Sequence, residues 1–205
     1  MKRLALHHET PERRKLDQAV AVLHDGGVVA YPTDTLYALG CAIESRRGIE
    51  RIYQVKRMDP KQRLAVMCPD LSTAARYALM SDVAHRIVRK LVPGPYTIVL
   101  PATRDVPRML LDKRTRKVGV RVPDHPVTSA LVLALGRPLL TSSAVDPDTG
   151  EPCTEADEVE ARFGRAIDLL LDGGPTGTQP STVLEITDGV VTVLREGAGP
   201  IDAVV

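Results

Sequence analysis

The spacing of hydrophobic residues changes between two periods along the chain, and each change marks the border of a predicted element. In residues 11–25, Leu16, Val20 and Leu23 recur at helical spacing ahead of two glycines, which predicts an amphipathic helix. Residues 28–33 form an apolar run that starts with β-branched valines, which is typical of a buried strand. We therefore expect a helix and then a buried strand as the first two elements.

The same alternation of strand and helix continues along the chain. Further strands are predicted at 64–68, 96–102, 117–123, 138–144, 166–174, 181–187 and 190–197. Further helices are predicted at 45–57, 71–78, 81–92, 106–112, 125–136 and 155–164. We expect Gly40 to lie in a loop, Ser72 to cap a helix, and Asp188-Gly189 to form a hairpin turn. The pattern predicts a single α/β domain (α+β type) over residues 1–205, with a twisted, open, mixed sheet covered by helices.

Composition and charge narrow the classes of function. The chain is 43% hydrophobic and 26% charged, which is ordinary for a globular protein. A net charge of +1 offers no overall attraction to polyanions, and five Tyr, one Phe and no Trp leave few rings to stack on single-stranded bases. Any contact with nucleic acid would therefore need a local basic face.

The cysteines and the N-terminal residues bear on the compartment. Cys41, Cys68 and Cys153 show no C-x-x-C spacing, so neither a disulfide framework nor a zinc site is expected. Residues 1–15 lack the apolar core of a signal peptide, and no apolar run reaches membrane-spanning length. We expect a cytoplasmic protein without a membrane segment.

Hydroxyl-bearing residues cluster at the ends of predicted strands. Thr33 and Thr35 follow one strand, Thr141 and Ser143 end another, and Ser181 opens a third. Strand ends are where α/β proteins place ligands. The alternative for each cluster is a turn or strand edge whose hydroxyls satisfy local backbone groups.

A short basic stretch follows the helix predicted at 45–57. Lys56, Arg57, Lys61 and Arg63 fall within eight residues. Such a group can hold a triphosphate, because arginine and lysine donate charge-assisted hydrogen bonds to phosphate oxygens. The alternative is a helix end whose cations complement the helix dipole, and composition alone favours this alternative.

Two further arginines lie on predicted strands, where arginine is rarely buried without a partner. Arg121 interrupts an apolar strand, either to hold a ligand carboxylate or to form a structural ion pair with Asp124 or another acid. Arg195 ends the last strand. His125 is interpreted as a turn or packing residue. The sequence contains no P-loop motif, no G-x-S-x-G and no H-E-x-x-H.

Together these segments resemble the YrdC/YciO family, which includes the threonylcarbamoyl-AMP synthases. The matching segments are GGVVAYPTDTLYALGC, the helix ending in VKR, PGPYTIVLPA, VGVRVPDHP, PLLTSSA, PSTVLEI and LREGAG. They occur in family order from about residue 16 to residue 201, and the YciO branch is the more similar. The resemblance implies a YrdC-like domain with a positively charged concave face.

The resemblance also implies a reaction. L-threonine, bicarbonate and ATP, with Mg²⁺, would give threonylcarbamoyl-AMP and pyrophosphate, and the product would serve the modification of adenosine 37 in tRNA. Some family members are described as binding double-stranded RNA. The alternative function is therefore a double-stranded RNA, tRNA or nucleotide-binding protein with little or no synthase activity, either a monomer or a homodimer.

The resemblance assigns roles by position. Threonine would contact Thr33, Thr35, Arg121 and Ser181. The nucleotide would contact Lys56, Arg57, Arg63, Thr141, Ser143 and Arg195. Lys56 and Arg121 would be the catalytic residues, and no resident metal ion is expected.

Two positions depart from the synthase pattern. Synthases carry K-x-R where this chain has Lys56-Arg57-Met58, and S-x-N where it has Ser143-Ala144-Val145. A buried polar ligand group that loses its hydrogen bond in this way costs about 1–3 kcal/mol, or roughly tenfold to hundredfold in rate. Arg57, Lys61 and Arg63 are the candidates to replace the missing arginine. Both departures fall on the nucleotide side of the predicted site.

Overall fold

A ten-stranded mixed β-sheet forms the centre of the computed structural model, which describes residues 1–59, 62–111 and 114–203. Its strands are β1 (Lys2–Ala5), β2 (Val29–Tyr31), β3 (Ala38–Ala42), β4 (Ala65–Met67), β5 (Tyr96–Pro101), β6 (Lys117–Arg121), β7 (Leu139–Ser143), β8 (Leu169–Asp172), β9 (Thr182–Thr187) and β10 (Val190–Arg195). The α-helices are α1 (Arg13–His24), α2 (Arg46–Val55), α3 (Leu71–Tyr77), α4 (Asp82–Leu91), α5 (Pro126–Leu135) and α6 (Ala156–Phe163). Short 3₁₀ turns cover Arg108–Leu110 and Ile201–Ala203.

The order of the strands makes the sheet open. It runs β1–β8–β2–β3–β7–β4–β6–β5–β9–β10. β8 pairs in parallel with β1 and β2, and the pairs β4/β6 and β5/β9 are also parallel, while the remaining neighbours are antiparallel. β1 and β10 therefore form two free edges. This single mixed-sheet α/β domain confirms the predicted fold class.

Helices cover the two faces of the sheet unequally. Buried residues of α2, α3, α4 and α6 pack against one face in a large hydrophobic core. α1 and α5 build a second core on the other face, over β8, β2, β3 and β7. Along β5, β6 and β9, the residues that point to this second face are half-buried or exposed, except for the buried Arg121. Part of the second face is thus left accessible, and it is called the open face below.

The predicted hairpin turn is confirmed, and four other details of the sequence prediction are corrected. Asp188 and Gly189 have φ of 52° and 81° and form the predicted turn between antiparallel β9 and β10. Gly40 does not lie in a loop. It pairs with Val29 and Thr141 inside β3, where the Tyr31 ring occupies the space of a side chain.

The other corrections concern an N-cap, a missed strand and a helix that was predicted too long. The cap of α3 is Asp70, whose carboxylate accepts from the Thr73 amide at 2.6 Å, rather than Ser72. β1 was not predicted, because four residues with two cations give little strand signal. The helix predicted at 106–112 is only the 3₁₀ turn Arg108–Leu110, and residue 112 lies outside the described residues.

In the described ranges, no helix is both long and apolar enough to span a bilayer. The cytoplasmic location expected from the sequence stays a prediction.

Candidate functional site

The centre of the candidate site is Arg121, the last residue of β6. Its side chain is 5% exposed, and its Nη2 donates to Asp34 Oδ1 at 2.5 Å and to Thr35 Oγ1 at 2.7 Å. Thr33 Oγ1 lies 3.4 Å from the same nitrogen. The ion-pair partner is thus Asp34 rather than Asp124, whose backbone amide donates to the other Asp34 oxygen at 3.2 Å. Arg121 is neutralised and oriented at once.

A buried donor of this guanidinium has no hydrogen-bond partner. Arg121 Nε is buried and has no hydrogen-bond partner. A buried, unsatisfied donor costs about 1–3 kcal/mol, so native structures rarely keep one without a purpose. A ligand acceptor at this position would satisfy it.

The loop between β2 and β3 is shaped by its own hydroxyls. Thr33 Oγ1 donates to the Leu36 carbonyl at 2.6 Å and accepts from the Thr35 amide at 3.2 Å. Thr33 thus makes the local turn, as the structural interpretation expects, and also faces Arg121. Its role in binding a ligand stays a prediction. Gly177 passes over the loop so closely that a Cβ there would lie 2.8 Å from the Thr35 carbonyl oxygen. The segment before β9 therefore bounds the site on this side.

A second group of hydroxyls lies at the start of β9. Ser181 Oγ is 2.8 Å from Thr97 Oγ1 on β5. Arg195 donates from Nη2 to the Ser181 carbonyl at 2.8 Å and to Ser181 Oγ at 3.3 Å. Thr97 was not singled out from the sequence, although its alternation with buried Tyr96 and Ile98 on β5 assigns it to the open face.

A β-bulge directs Arg195 to the open face. β9 and β10 pair regularly until the register shifts before Arg195, which then lies opposite Val183. Leu194 is the extra residue. If the same residues paired without the bulge, Arg195 would lie opposite Thr182, which is buried on the other side of the sheet. Because paired residues share a face, the bulge brings the guanidinium round to Ser181.

Lys56 reaches the site from the end of α2. Its Nζ donates to Ser142 Oγ at 2.7 Å and to the Ser143 carbonyl. Burial lowers the pKa of Lys56 to about 8, and the positive charge of Arg195 acts in the same direction. Burial and the nearby Arg121 likewise lower the pKa of Arg195. Arg195 is therefore close enough to repel both Lys56 and Arg121, and an anion would relieve that repulsion.

The hydroxyls of β7 point to different sides. Thr141 is buried and accepts a hydrogen bond from the Tyr31 hydroxyl at 2.8 Å. Burial raises the pKa of that phenol, so Tyr31 stays a neutral donor. Ser143 shares the face of Thr141 and is half-buried, while Ser142 points to the opposite face, toward Lys56. Of this run, the Ser142 side chain and the Ser143 carbonyl contact Lys56.

Arg57 and Arg63, the other described members of the basic stretch, are exposed. Arg57 has a positive φ of 46°, is exposed and pairs with Asp148. Arg63 is exposed, and Lys61 lies outside the described residues. Of the cations predicted to hold a triphosphate, Lys56 is the one that contacts β7. The nucleotide roles of Arg57 and Arg63 stay predictions.

The two positions that depart from the synthase pattern border Lys56. Met58 packs on the main core, and its Sδ lies 3.9 Å from Ser142 Oγ. Val145 is half-buried and forms a β-bridge with Pro152 just beyond β7. Both side chains replace polar groups with apolar ones beside the same lysine.

Two other features complete the surroundings. His125 precedes α5, its Nδ1 is buried without a partner, and burial lowers the pKa of its imidazole. Within the described residues, no three His, Cys, Asp or Glu side chains come together as a metal site would require.

Comparison with known proteins agrees with this geometry. A family model described as telomere recombination (Sua5, YciO and YrdC) matches residues 21–197. Escherichia coli YciO, an uncharacterized protein, is 39% identical over 198 residues, which is 96% of this chain and 95% of that protein. Its crystal structure superposes with a TM-score of 0.95 over the full length of both chains, at 36% identity.

Two relatives carry more specific names. A threonylcarbamoyl-AMP synthase of E. coli strain HS is 32% identical over 191 residues, covering 91% of this chain and 97% of that protein. Pyrococcus abyssi Sua5, solved as a complex with L-threonine, matches with a TM-score of 0.90 at 28% identity, over 98% of this chain and 59% of Sua5. The family match, the shared fold and the arginine-centred site agree: this chain belongs to the Sua5/YciO/YrdC family.

Proposed function

We propose that the protein joins L-threonine, bicarbonate and ATP into threonylcarbamoyl-AMP and pyrophosphate. One observation carries the proposal: Arg121 and Arg195 lie among hydroxyls on the open face, and Lys56 reaches the end of β7 from α2. Such an arrangement suits a reaction between anions, in which the protein positions groups and neutralises charge. The relatives named synthase, and the Sua5 complex with L-threonine, support the same substrates.

Arg121 would bind the threonine carboxylate. Asp34 and Thr35 fix its Nη2, which leaves the buried Nε and also Nη1 as donors for a ligand oxygen. Ser181 and Thr97, on the same open face, offer hydroxyls to the polar groups of the amino acid. The amino acid would therefore lie against the most rigid part of the site.

Lys56 and Arg195 would bind the triphosphate. Among the described residues neither pairs with an acid, so both charges are available to phosphate oxygens. The side chains that contact Lys56 supply a hydroxyl and no carboxylate, so the site does not offer the ligands of a resident Mg²⁺. Mg²⁺ would enter with ATP, held by phosphates and water, and would neutralise the leaving pyrophosphate.

The chemistry needs two bond-forming steps. The threonine amine, once deprotonated, adds to the carbon of bicarbonate and releases water, which gives a carbamate. A carbamate oxygen then attacks the α-phosphorus, and the bond to the pyrophosphate oxygen breaks. The chain contributes by holding the two anions together, a positioning effect worth about 7–11 kcal/mol in favourable cases.

The test follows each atom to the product. The protein is incubated with Mg-ATP, L-threonine and ¹³C-bicarbonate, and threonylcarbamoyl-AMP and pyrophosphate are measured by mass spectrometry. We expect one ¹³C atom in each product molecule and no pyrophosphate when threonine is omitted. Pyrophosphate release without threonine, or no labelled product at any concentration of protein, would contradict the proposal.

A second candidate function is binding of double-stranded RNA or tRNA. A groove of about 560 Å³ at the far end of β5 and β6 is lined by Arg76, Arg104 and Arg116, with Asp105 as its acid. Three arginines against one aspartate make this a local basic surface on a nearly neutral chain. Phosphate contacts of this kind predict an affinity that falls steeply with salt.

A charge reversal separates this candidate from the first. Arg76→Glu with Arg104→Glu should abolish RNA binding and flatten its salt dependence, while threonylcarbamoyl-AMP synthesis continues. Arg89→Glu with Lys90→Glu, an equal charge change at two exposed residues of α4, is the matched control and should change neither. RNA binding that survives the double reversal would exclude the groove as the RNA site.

A further inference from the structure

The outer edge of β10 is an unprotected strand with exposed apolar side chains. Val190 is 65% exposed, Leu194 53% and Val193 37%. Val83 of α4, 43% exposed, adjoins them, because a Cβ at Gly189 would lie 3.2 Å from its methyl group. In the described part of the chain, no strand pairs with this edge. A neutral strand of this kind is a template for pairing with another strand.

The opposite edge of the sheet is protected. β1 carries Lys2 and Arg3, and the latter pairs with Asp157 and Asp172. Lys15 donates to the Ala5 carbonyl at 2.5 Å and so occupies a backbone acceptor of that strand. Charged side chains and covered backbone groups are the usual defences of an edge strand.

On β10 these defences are absent. Residues 190–194 carry no charge, and Arg195 turns its guanidinium inward to the Ser181 carbonyl at 2.8 Å. The bulge at Leu194 leaves the four residues before it in regular extended conformation. A strand that is apolar and uncharged on both faces stays exposed in few monomeric proteins.

We propose that β10 pairs antiparallel with β10 of a second copy of this chain. A two-fold axis sets each residue against its own counterpart or a near neighbour, so a charged strand would repel itself and a neutral one does not. With the axis at Thr192, Val191 lies opposite the partner's Val193, and Val190 opposite the partner's Leu194. All these pairs are uncharged, and β-branched or apolar cross-strand pairs stabilise a sheet.

A second copy fits better than an unrelated peptide because of this self-complementarity. The charged β1 edge cannot pair with β10 in the same way, so the contact closes as a dimer and does not extend into a filament. The two sheets would become continuous, and Arg195 of each chain would lie beside the new interface. The inference stands independently of the reaction proposed above.

Cysteine cross-linking tests the register. In a Thr192→Cys variant the two thiols would meet at the axis, and oxidation should give a covalent dimer in high yield. Val190→Cys, two residues from the axis, should cross-link at least about tenfold more slowly, since strands rise about 3.4 Å per residue. Leu133→Cys, at an exposed position of α5, is the control for random collision. The native cysteines are buried and should not cross-link. Equal yields from all three variants would overturn the proposal.

Sedimentation tests the interface without a cross-link. The native protein should sediment with the mass of two chains, and Thr192→Lys should raise the dissociation constant at least about tenfold, because like charges would face each other. Leu133→Lys should leave the dimer intact. A native monomer at every concentration, or a Thr192→Lys dimer of unchanged affinity, would overturn the proposal.

Discussion

The two sides of the site differ in how completely their polar groups are paired. Around Arg121, the loop after β2 supplies the contacts. The Asp34 carboxylate and the hydroxyls of Thr33 and Thr35 together hold one buried nitrogen of the guanidinium. Around Lys56, the partners are a hydroxyl and a carbonyl, and Met58 and Val145 bring apolar groups into the neighbourhood. The first side is built to hold one ligand in one position. On the Lys56 side no carboxylate neutralises the cation among the described residues, so a ligand would supply the negative charge.

The difference locates the specificity of the protein. A buried, neutralised arginine is costly to disturb, so the Arg121 side tolerates little change in its ligand. The Lys56 side depends on a half-buried cation whose pKa is already lowered to about 8. Under the proposed function, changes in chemistry within the family are therefore expected more readily on the Lys56 side than on the Arg121 side.

The largest effect is expected from Arg121→Ala. The change removes the proposed carboxylate ligand and leaves the buried Asp34 without its cation, a loss of about 2–5 kcal/mol. Threonine binding and product formation should fall at least about a hundredfold. Isothermal titration with threonine measures the first and mass spectrometry the second.

Arg121→Lys serves as the control for charge alone. Lysine keeps the cation but not the planar fork, so threonine affinity should stay low while the fold, followed by circular dichroism, recovers. Full threonine affinity in Arg121→Lys would show that the fork geometry is not needed.

A smaller gain is expected from the double change Met58→Arg and Val145→Asn. These side chains supply donors beside Lys56, and each new buried hydrogen bond to ATP is worth about 1–3 kcal/mol. ATP affinity should rise roughly tenfold to hundredfold while threonine affinity is unchanged. An equal change in both affinities would mean that the two sides of the site are not separate.

The pH dependence of ATP binding should reflect Lys56. Its pKa is lowered to about 8, so it is charged below this pH and loses its proton above it. Phosphate binds the charged form, and affinity should therefore fall by up to about tenfold per pH unit above pH 8. Lys56→Arg keeps its charge and should bind ATP equally well across that range. Titrations with ATP at several pH values compare the native protein with Lys56→Arg. A native ATP affinity that does not change with pH would contradict the role of Lys56.

The smallest effect on activity is expected from Gly40→Ala, which lies between the two sides. Its Cβ would lie 2.8 Å from the Tyr31 ring and would press on the hydrogen bond to Thr141. Overpacking of this kind costs about 1–3 kcal/mol of stability. Urea unfolding should show that loss, while threonine affinity changes little. Unchanged stability would mean that the ring moves aside freely.

The sequence predicted the fold better than the contacts. The spacing of hydrophobic residues located every α-helix and all strands except β1 and β3. Buried helix faces and buried strands both leave a strong hydrophobic pattern in the sequence. β3 was missed because Gly40 was interpreted as a breaker, whereas the Tyr31 ring needs its space. The partner of Arg121 was left open, since an ion pair between residues 34 and 121 depends on strand order, which local patterns do not determine.

The bulge at Leu194 decides on which side of the sheet Arg195 acts. Five residues separate the hairpin turn from the arginine, and a regular ladder of that length would place Arg195 opposite Thr182 and turn the guanidinium into the core. A relative could keep every residue of the site and still lose this one if its hairpin had the same length without the bulge. Family membership judged by identities alone would miss that loss, whereas the pairing register of the hairpin would reveal it.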